Sequence, residues 1–391
     1  MDRDGSDTRI LTKREFMRLC CLGAGACALG ASVARSWTGS RRAVTFLSME
    51  GEGPDRWSKE AMFYETKGDA VRCLKCPHGC VLTHDRLGIC RNRLSYKGKL
   101  YSIAYGNPCA VHIDPIEKKP LFHFLPSTRA FSIATAGCNL RCLNCQNWEI
   151  SQVSPRESRN IDMMPDRVVE ECVSGRCASI AYTYSEPTTF YEYTFDTAAS
   201  ARSRGVRNIL KSSGYINEKP LRKLCSVLDA ANIDLKSFDD SVYRELNGAR
   251  LEPVLRTLTV LKEEGVWLEI THLVIPTWTD NLDMTRRMCD WLCENGLRDC
   301  PVHFSRFTPL YKLTQLPATP VATLDRAAEI ARAAGVRYVY VGNVPGHAAE
   351  HTSCHKCGKR IIERRGFAVL SNDIKDGKCG YCKEPIPGVW S

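Results

Sequence analysis

Three cysteines, Cys138, Cys142 and Cys145, stand in the stretch Thr135-Ala-Gly-Cys-Asn-Leu-Arg-Cys-Leu-Asn-Cys-Gln-Asn-Trp148. Thiols spaced CxxxCxxC fold around one corner of an iron-sulfur cube, yet they fall one short of the four thiolates that an electron-transfer cluster uses. One iron is then left for a ligand that is not protein. A zinc ion with its fourth ligand elsewhere, or three buried thiols, are the simpler readings. Against both, the loop contains no other Cys or His.

Two further groups have ligand-like spacing. Cys73-Leu-Lys-Cys76-Pro-His-Gly-Cys80, with Cys90 ten residues on, suits a four-thiolate site, zinc being the simplest occupant and a second iron-sulfur cluster the alternative. Disulfides compete only if the mature protein lives outside the cell. His78 reads as a turn residue. In the tail, Cys354-His-Lys-Cys357 and Cys379-Gly-Tyr-Cys382 are two CxxC knuckles separated by 21 residues. That is the zinc-ribbon pattern; a rubredoxin-like iron site uses the same ligands, and a two-disulfide clip is the structural alternative. Cysteines 109, 172, 177, 225, 289, 293 and 300 are most simply core or surface thiols.

Charge argues against a nucleic-acid partner. The formal net charge is +10 (54 basic, 44 acidic residues). Two four-thiolate zinc sites and one three-thiolate cluster carry about −2, −2 and −1, which brings the balance to about +5. The basic residues are scattered and form no stripe. With 43% hydrophobic and 25% charged residues, the 391-residue chain is globular, long enough for one large domain with small satellites.

The elements that position the cysteine loop follow from periodicity. Strand-like runs recur from Phe131, at 178–184, 206–210, 231–235, 266–275 and 301–304, separated by helix-like segments at 166–173, 189–203, 218–228, 253–264 and 283–294. Leu324 to Ala334 adds a helix and 337–341 a further strand. Six alternations predict an α/β fold, a partial (βα)6 barrel of TIM type whose strand C-terminal ends share one mouth. Short strands are expected at 101–106 and 110–113. The connector Asp114-Pro-Ile-Glu-Lys-Lys-Pro-Leu-Phe-His-Phe-Leu-Pro126 is expected to lie across that mouth.

Polar residues collect where these strands end. Glu186, in Tyr182-Thr-Tyr-Ser185-Glu-Pro, suits acceptance of hydrogen bonds from an ammonium group, or simply begins a helix. The third strand ends in Lys211-Ser-Ser213-Gly. The fourth ends in Asp234-Leu-Lys236, an ion pair or a holder of ribose, carboxylate or cation. His272, His303 and Arg306 are weaker candidates.

Residues 131 to about 310 resemble radical S-adenosylmethionine (SAM) enzymes of the pyruvate formate-lyase-activating type. The cysteine loop carries the resemblance, with Ser185-Glu186-Pro187 where the family commonly has Gly-Gly-Glu, and with Asp234-Leu-Lys236 matching its Asp-Leu-Lys. Residues 73 to 391 are similar to the radical SAM component of the AmmeMemoRadiSam system, through Cys-Pro-His-Gly-Cys80, Asp114-Pro-Ile-Glu-Lys-Lys-Pro-Leu, Cys145-Gln-Asn-Trp-Glu-Ile-Ser151, Gly342-Asn-Val-Pro-Gly346 and Pro387-Gly-Val-Trp390.

The resemblance implies a 4Fe-4S cluster on Cys138, Cys142 and Cys145, completed by SAM. SAM would be held by Ser185, Glu186, Lys211, Ser213, Asp234 and Lys236, and cleaved reductively to a 5'-deoxyadenosyl radical that takes a hydrogen atom from a substrate. It also implies a low-potential electron donor such as flavodoxin or ferredoxin, and Memo-like and AMMECR-like partners. Lys211 departs from the family, whose activating enzymes have an acidic residue there. A different class of answer remains open: a multi-metal electron carrier or zinc-organised binding module without SAM chemistry.

Residues 1–48 read as a targeting segment. Thr12-Lys-Arg14-Glu-Phe-Met-Arg18 resembles a twin-arginine export motif with Lys in the first basic place, and the uncharged run Leu19 to Val33 is too short to span a bilayer. Export or membrane attachment is therefore open, although chemistry that consumes SAM is expected in the cytoplasm. The organisation expected is 1–48 targeting, 49–130 cysteine-rich segment and connector, 131–345 core, and 346–391 metal-binding tail.

Overall fold

Strand and helix patterns alternate along the chain, and the structure, a computed structural model, describes residues 46–47 and 53–391. The twin-arginine-like motif and the uncharged run after it lie outside the described residues. Eight strands, β1 (Ala110–Pro115), β2 (Arg129–Ala134), β3 (Ser179–Tyr182), β4 (Arg207–Ser212), β5 (Ala230–Asp234), β6 (Trp267–Val274), β7 (Val302–Arg306) and β8 (Val339–Gly342), form one sheet in that spatial order. β2 through β8 are parallel, and β1 pairs antiparallel with β2.

Each parallel connection carries a helix: α1 (Pro165–Ser174), α2 (Tyr191–Ser203), α3 (Glu218–Cys225), α4 (Leu251–Glu263), α5 (Leu282–Glu294) and α6 (Val321–Ala333). Crossovers of one hand in an order that never reverses place all six helices on one face. That face is apolar: Ile133, Ile180, Leu210, Ile233, Ile270 and Phe304 alternate along the strands and join the helices' buried residues in one core. The period-two partners face the other way and are largely polar. Lys211 donates to Asn232 (2.6 Å), Thr271 to Asn232 (2.8 Å), and His303 meets Glu269 (2.7 Å). The α/β class and the six strand-helix alternations are thus present, in a mixed sheet.

The proline-punctuated connector lies at the opposite end from the mouth, which corrects the expectation above. β1 runs antiparallel, so its last residue, Pro115, stands opposite Arg129 at the start of β2. The chain between them therefore closes the strands' N-terminal ends. Phe122 and His123 N–H groups donate to the Glu269 carboxylate (2.9 and 2.7 Å), and Asn232 donates to the Pro120 carbonyl (2.7 Å). Ile116, Leu121, Phe124 and Leu125 pack on the small inner residues Ala130, Ala181 and Ala230.

The tail seals the same floor. Val389 bridges Phe124, Arg364 donates to the Phe122 carbonyl (2.7 Å), and Phe122, Tyr338 and Tyr340 share a core with Ile361 and Ile386. His123 is fixed as a neutral ring: Nδ1 donates to the Pro387 carbonyl (2.7 Å), leaving Nε2 to accept from the Tyr340 hydroxyl (2.6 Å). Burial lowers this histidine from its ordinary 6.5 to about 4. The unfolded chain then binds a proton that the fold rejects. Its contribution to stability is complete above about 6.5 and is lost as pH falls toward 4. We expect the urea midpoint to drop between pH 7 and pH 5, and to drop less in His123→Asn. Equal drops in the two proteins would refute this origin.

The cysteine-rich segment before β1 forms short antiparallel sheets, Tyr64–Lys67 with Ala70–Cys73 and Val81–Leu82, and Lys59–Glu60 with Arg93–Tyr96 and Lys99–Ser102. Among the described residues, no helix is long and apolar enough to cross a membrane.

Candidate functional site

The three-cysteine loop leaves the C-terminal end of β2 and is tied down on every side. Gly137 N–H donates to Ile150 (2.8 Å), Arg141 and Leu143 N–H donate to Asn247 and Leu246 (both 2.9 Å), and the Asn139 amide donates to Tyr215 (2.8 Å). Neighbouring strand ends hold it too: Ser185 donates to Thr135 (2.6 Å), and Asn147 donates to the Tyr184 carbonyl (2.7 Å). Tyr184 adopts φ +63°, a left-handed conformation uncommon outside glycine, just where β3 gives way to Ser185-Glu186.

Each sulfur has one polar neighbour. Leu140 N–H points at Cys138 (3.3 Å), the Asn247 amide at Cys142 (3.2 Å), and the Ser151 hydroxyl lies 3.1 Å from Cys145. Burial pushes the Cys138 and Cys142 thiols up, so they ionise only where a metal takes the proton's place. Donors aimed at sulfur suit thiolates that hold iron, and this set fits a cluster.

The other predicted residues gather at the same rim. The Glu186 carboxylate, buried, accepts from the Ser212 hydroxyl (2.7 Å), the Ser213 N–H and hydroxyl (2.8 and 2.7 Å) and the Thr188 N–H (3.1 Å). Four donors of its own chain thus occupy the oxygens that were expected to face an ammonium. Asp234 pairs with Lys211 and with Lys236 (3.1 Å). Burial opposes ionisation of Asp234, but the two lysines overcome it and hold the carboxyl at about 2. Burial lowers Lys211, while Asp234 overcomes burial at Lys236 and raises it. Lys236 lies within electrostatic reach of Cys142, and Glu186 of Cys138, so thiols, carboxylate and cations share one end of the sheet.

Beneath them, on the inner face, Asp114 pairs with Lys118 and Lys119 (both 2.6 Å) and accepts from the Tyr184 hydroxyl. Burial lowers Lys119 to about 8. Sequence reasoning missed Ser212, Ser151 and Asn247. The first two sit in the stretches Lys211-Ser-Ser-Gly214 and Cys145-Gln-Asn-Trp-Glu-Ile-Ser151. Asn247, from the turn before Gly248, reaches Cys142 across 105 residues with no local sign. His272 is a satisfied core residue, bonded to the Leu235 and Thr279 carbonyls, and Arg306 donates to Thr319.

In the tail, Cys354 and Cys382 sulfurs lie 3.6 Å apart, Cys357 and Cys379 lie 3.9 Å apart, and all four fall within 4.8 Å of one another. Tetrahedral bonds of about 2.3 Å to one ion separate sulfurs by about 3.8 Å, so the quartet has the dimensions of a mononuclear metal site. It sits by the floor: His355, between Cys354 and Cys357, meets the Tyr338 hydroxyl (2.8 Å).

Comparison with known proteins places this geometry. The chain is 45% identical over 331 residues to the uncharacterized protein MJ0808 of Methanocaldococcus jannaschii, covering 84% of this chain and 98% of that one. The Radical SAM superfamily pattern matches residues 132–292, from β2 and its cysteine loop through most of α5. Residues 132–292 are a radical SAM domain. This radical SAM protein is also 21% identical over 164 residues to the pyruvate formate-lyase 1-activating enzyme of Escherichia coli, covering 41% of its own length and 67% of that enzyme. Among solved structures, a radical SAM methyltransferase from Sphaerobacter thermophilus aligns with TM-score 0.45 at 16% identity, over 56% of this chain and 67% of that one.

Proposed function

We propose that this protein is a radical SAM enzyme of the activating-enzyme type, acting on a substrate through hydrogen-atom abstraction. The observation that carries the reading is the loop itself: three buried or half-buried thiols at a parallel strand's C-terminal end, each with a donor at its sulfur. Cys138, Cys142 and Cys145 would hold a 4Fe-4S cluster, and SAM its remaining iron. When bound, these groups supply a 5'-deoxyadenosyl radical by one-electron cleavage of SAM. The sheet, open between β1 and β8, is read as a partial (βα)6 barrel, followed from 346 by a zinc-binding or iron-binding tail.

The chain's own residues bind and orient. Leu140, Asn247 and Ser151 direct the three sulfurs. Glu186 anchors Ser212 and Ser213, and an ammonium entering there takes over acceptor positions now held by the serine hydroxyls, with Ser185 alongside. Asp234 and Lys236 suit ribose and carboxylate, and Lys211 balances Asp234. The donor of electrons is a flavodoxin-class or ferredoxin-class protein, and Memo-like and AMMECR-like proteins are proposed partners.

The test is anaerobic reconstitution followed by electron paramagnetic resonance with and without SAM. A reduced spectrum that SAM perturbs, together with 5'-deoxyadenosine, is expected. An unchanged spectrum and no deoxyadenosine would reject the reading and leave the multi-metal carrier. For Glu186→Ala, SAM affinity is expected to fall about tenfold or more, the scale of a hydrogen bond to a charged group. Calorimetric titration giving an unaltered Kd would remove Glu186 from the SAM site.

A further inference from the structure

We infer that Cys73, Cys76, Cys80 and Cys90 hold a second iron-sulfur cluster, and that the electron used at the Cys138 loop enters through it. The inference rests on the proposed radical SAM chemistry for the electron's destination, and on the following geometry for the site.

The four cysteines are brought together by the fold of their segment. Cys73 N–H bonds the Cys80 carbonyl (2.9 Å), and the turn between them closes through Gly79 N–H to the Cys76 carbonyl (3.1 Å), with Gly79 at φ +55°. Ile89 N–H points at the Cys80 sulfur, which brings Cys90 alongside, and His78 N–H points at the Cys76 sulfur. Cys73, Cys76 and Cys90 are buried. A four-thiolate set serves a zinc ion or an iron-sulfur cluster, and its contact with the Cys138 loop favours the cluster.

Charge calls for an anionic occupant. Arg93 and Lys75 are both buried beside these sulfurs, Arg93 within electrostatic reach of Cys73 and Cys90 and Lys75 of Cys76. Glu192 pairs with Arg93 (2.6 Å), but Arg93 Nε and Nη2 have no partner, and Lys75 meets only the Thr189 carbonyl (3.3 Å). Two buried cations against one carboxylate leave an uncompensated positive charge with idle N–H groups, an arrangement that is expensive in a protein interior. Four thiolates on an iron-sulfur core bring a negative charge of about 2 and sulfur acceptors.

The position of the site gives it a role. Gly137, next to Cys138, has no room for a side chain: a Cβ would lie 2.5 Å from the Cys90 carbonyl oxygen and 2.0 Å from Asn92 Oδ1. His78 meets the Asn139 carbonyl at 2.7 Å. The two cysteine loops are therefore in contact on both sides of Cys138. Cys73 and Cys76 also line a cavity of about 330 Å³ between this segment and the N-terminal ends of α3 and α4, near the surface. The tail metal site lies by the floor, at the other end of the sheet. One electron leaves a reduced carrier of the flavodoxin or ferredoxin class, reduces the outer cluster by one, and passes to the Cys138 site, which restores the outer cluster. No bond or proton moves in that transfer.

Acid-labile sulfide distinguishes a cluster from zinc or rubredoxin-like iron, since only clusters contain it. The anaerobically reconstituted full chain is expected to hold about eight sulfides, from two 4Fe-4S clusters. Cys76→Ser/Cys80→Ser is expected to hold about four, and so is Cys138→Ala/Cys142→Ala/Cys145→Ala, whose remaining spectrum belongs to the outer site alone. The ratio of carrier-driven to dithionite-driven deoxyadenosine formation should fall at least tenfold in Cys76→Ser/Cys80→Ser. About four sulfides in the full chain, or none in the triple variant, would overturn the cluster. An unchanged ratio would overturn its role in electron entry. Eight sulfides without any deoxyadenosine would reject the radical SAM reading while supporting the second cluster.

Discussion

Replacing Cys142 by alanine is expected to abolish 5'-deoxyadenosine formation, a loss on the order of a thousandfold or more, or above about 4 kcal/mol of barrier. Cys142 is the most enclosed of the three thiols, 8% exposed, and it alone receives the Asn247 amide and faces Lys236. Two remaining thiolates cannot clamp a cube corner, so the site loses its metal while the sheet beneath is untouched. Circular dichroism should match the parent protein, and iron and SAM-dependent spectral change at this loop should both vanish. Undiminished deoxyadenosine from a folded Cys142→Ala protein would remove the loop from the chemistry.

The second large effect is on stability. Glu269 accepts from Phe122 N–H, His123 N–H, the Trp267 indole (3.2 Å) and His303, all at the floor. Burial alone would raise its carboxyl, but His303 and the backbone donors outweigh burial and keep it ionised. Glu269→Ala strands four donors at once, three of them on the buried residues Phe122, His123 and His303, and a loss of about 3–5 kcal/mol is expected. Urea or thermal unfolding measures it, and Glu269→Gln, which retains one acceptor oxygen, should lose less. A change below about 1 kcal/mol would show that the connector is held by its apolar packing alone.

The parallel core was legible because its strands are buried runs punctuated by glycine, and because each helix between them keeps an apolar stripe; β4, β6 and α5 fall within two residues of their expected limits. The residues at the strand ends were legible for a related reason, since in a parallel sheet every C-terminal end faces the same way. The direction of β1 was not. Ala110-Val-His-Ile113 carries no mark of antiparallel pairing, and that one reversal sends Asp114 to Pro126 to the floor instead of the mouth. The state of Glu186 was also hidden. Three of its four donors come from Ser212 and Ser213, 26 and 27 residues away, and only the register between β3 and β4 brings them together.

The floor also fixes an order of events in synthesis. Its stopper is made of His123 and Phe124 from the first third of the chain, and of Pro387 and Val389 from its last five residues, with 264 residues between the hydrogen-bonded pair His123 and Pro387. Until residues 387–389 have emerged, the chain lacks the second half of that seal, however far its strands have paired. Closure of the interior is therefore a late, long-range step, and the cysteine loop at the opposite end is synthesised before the floor can shut.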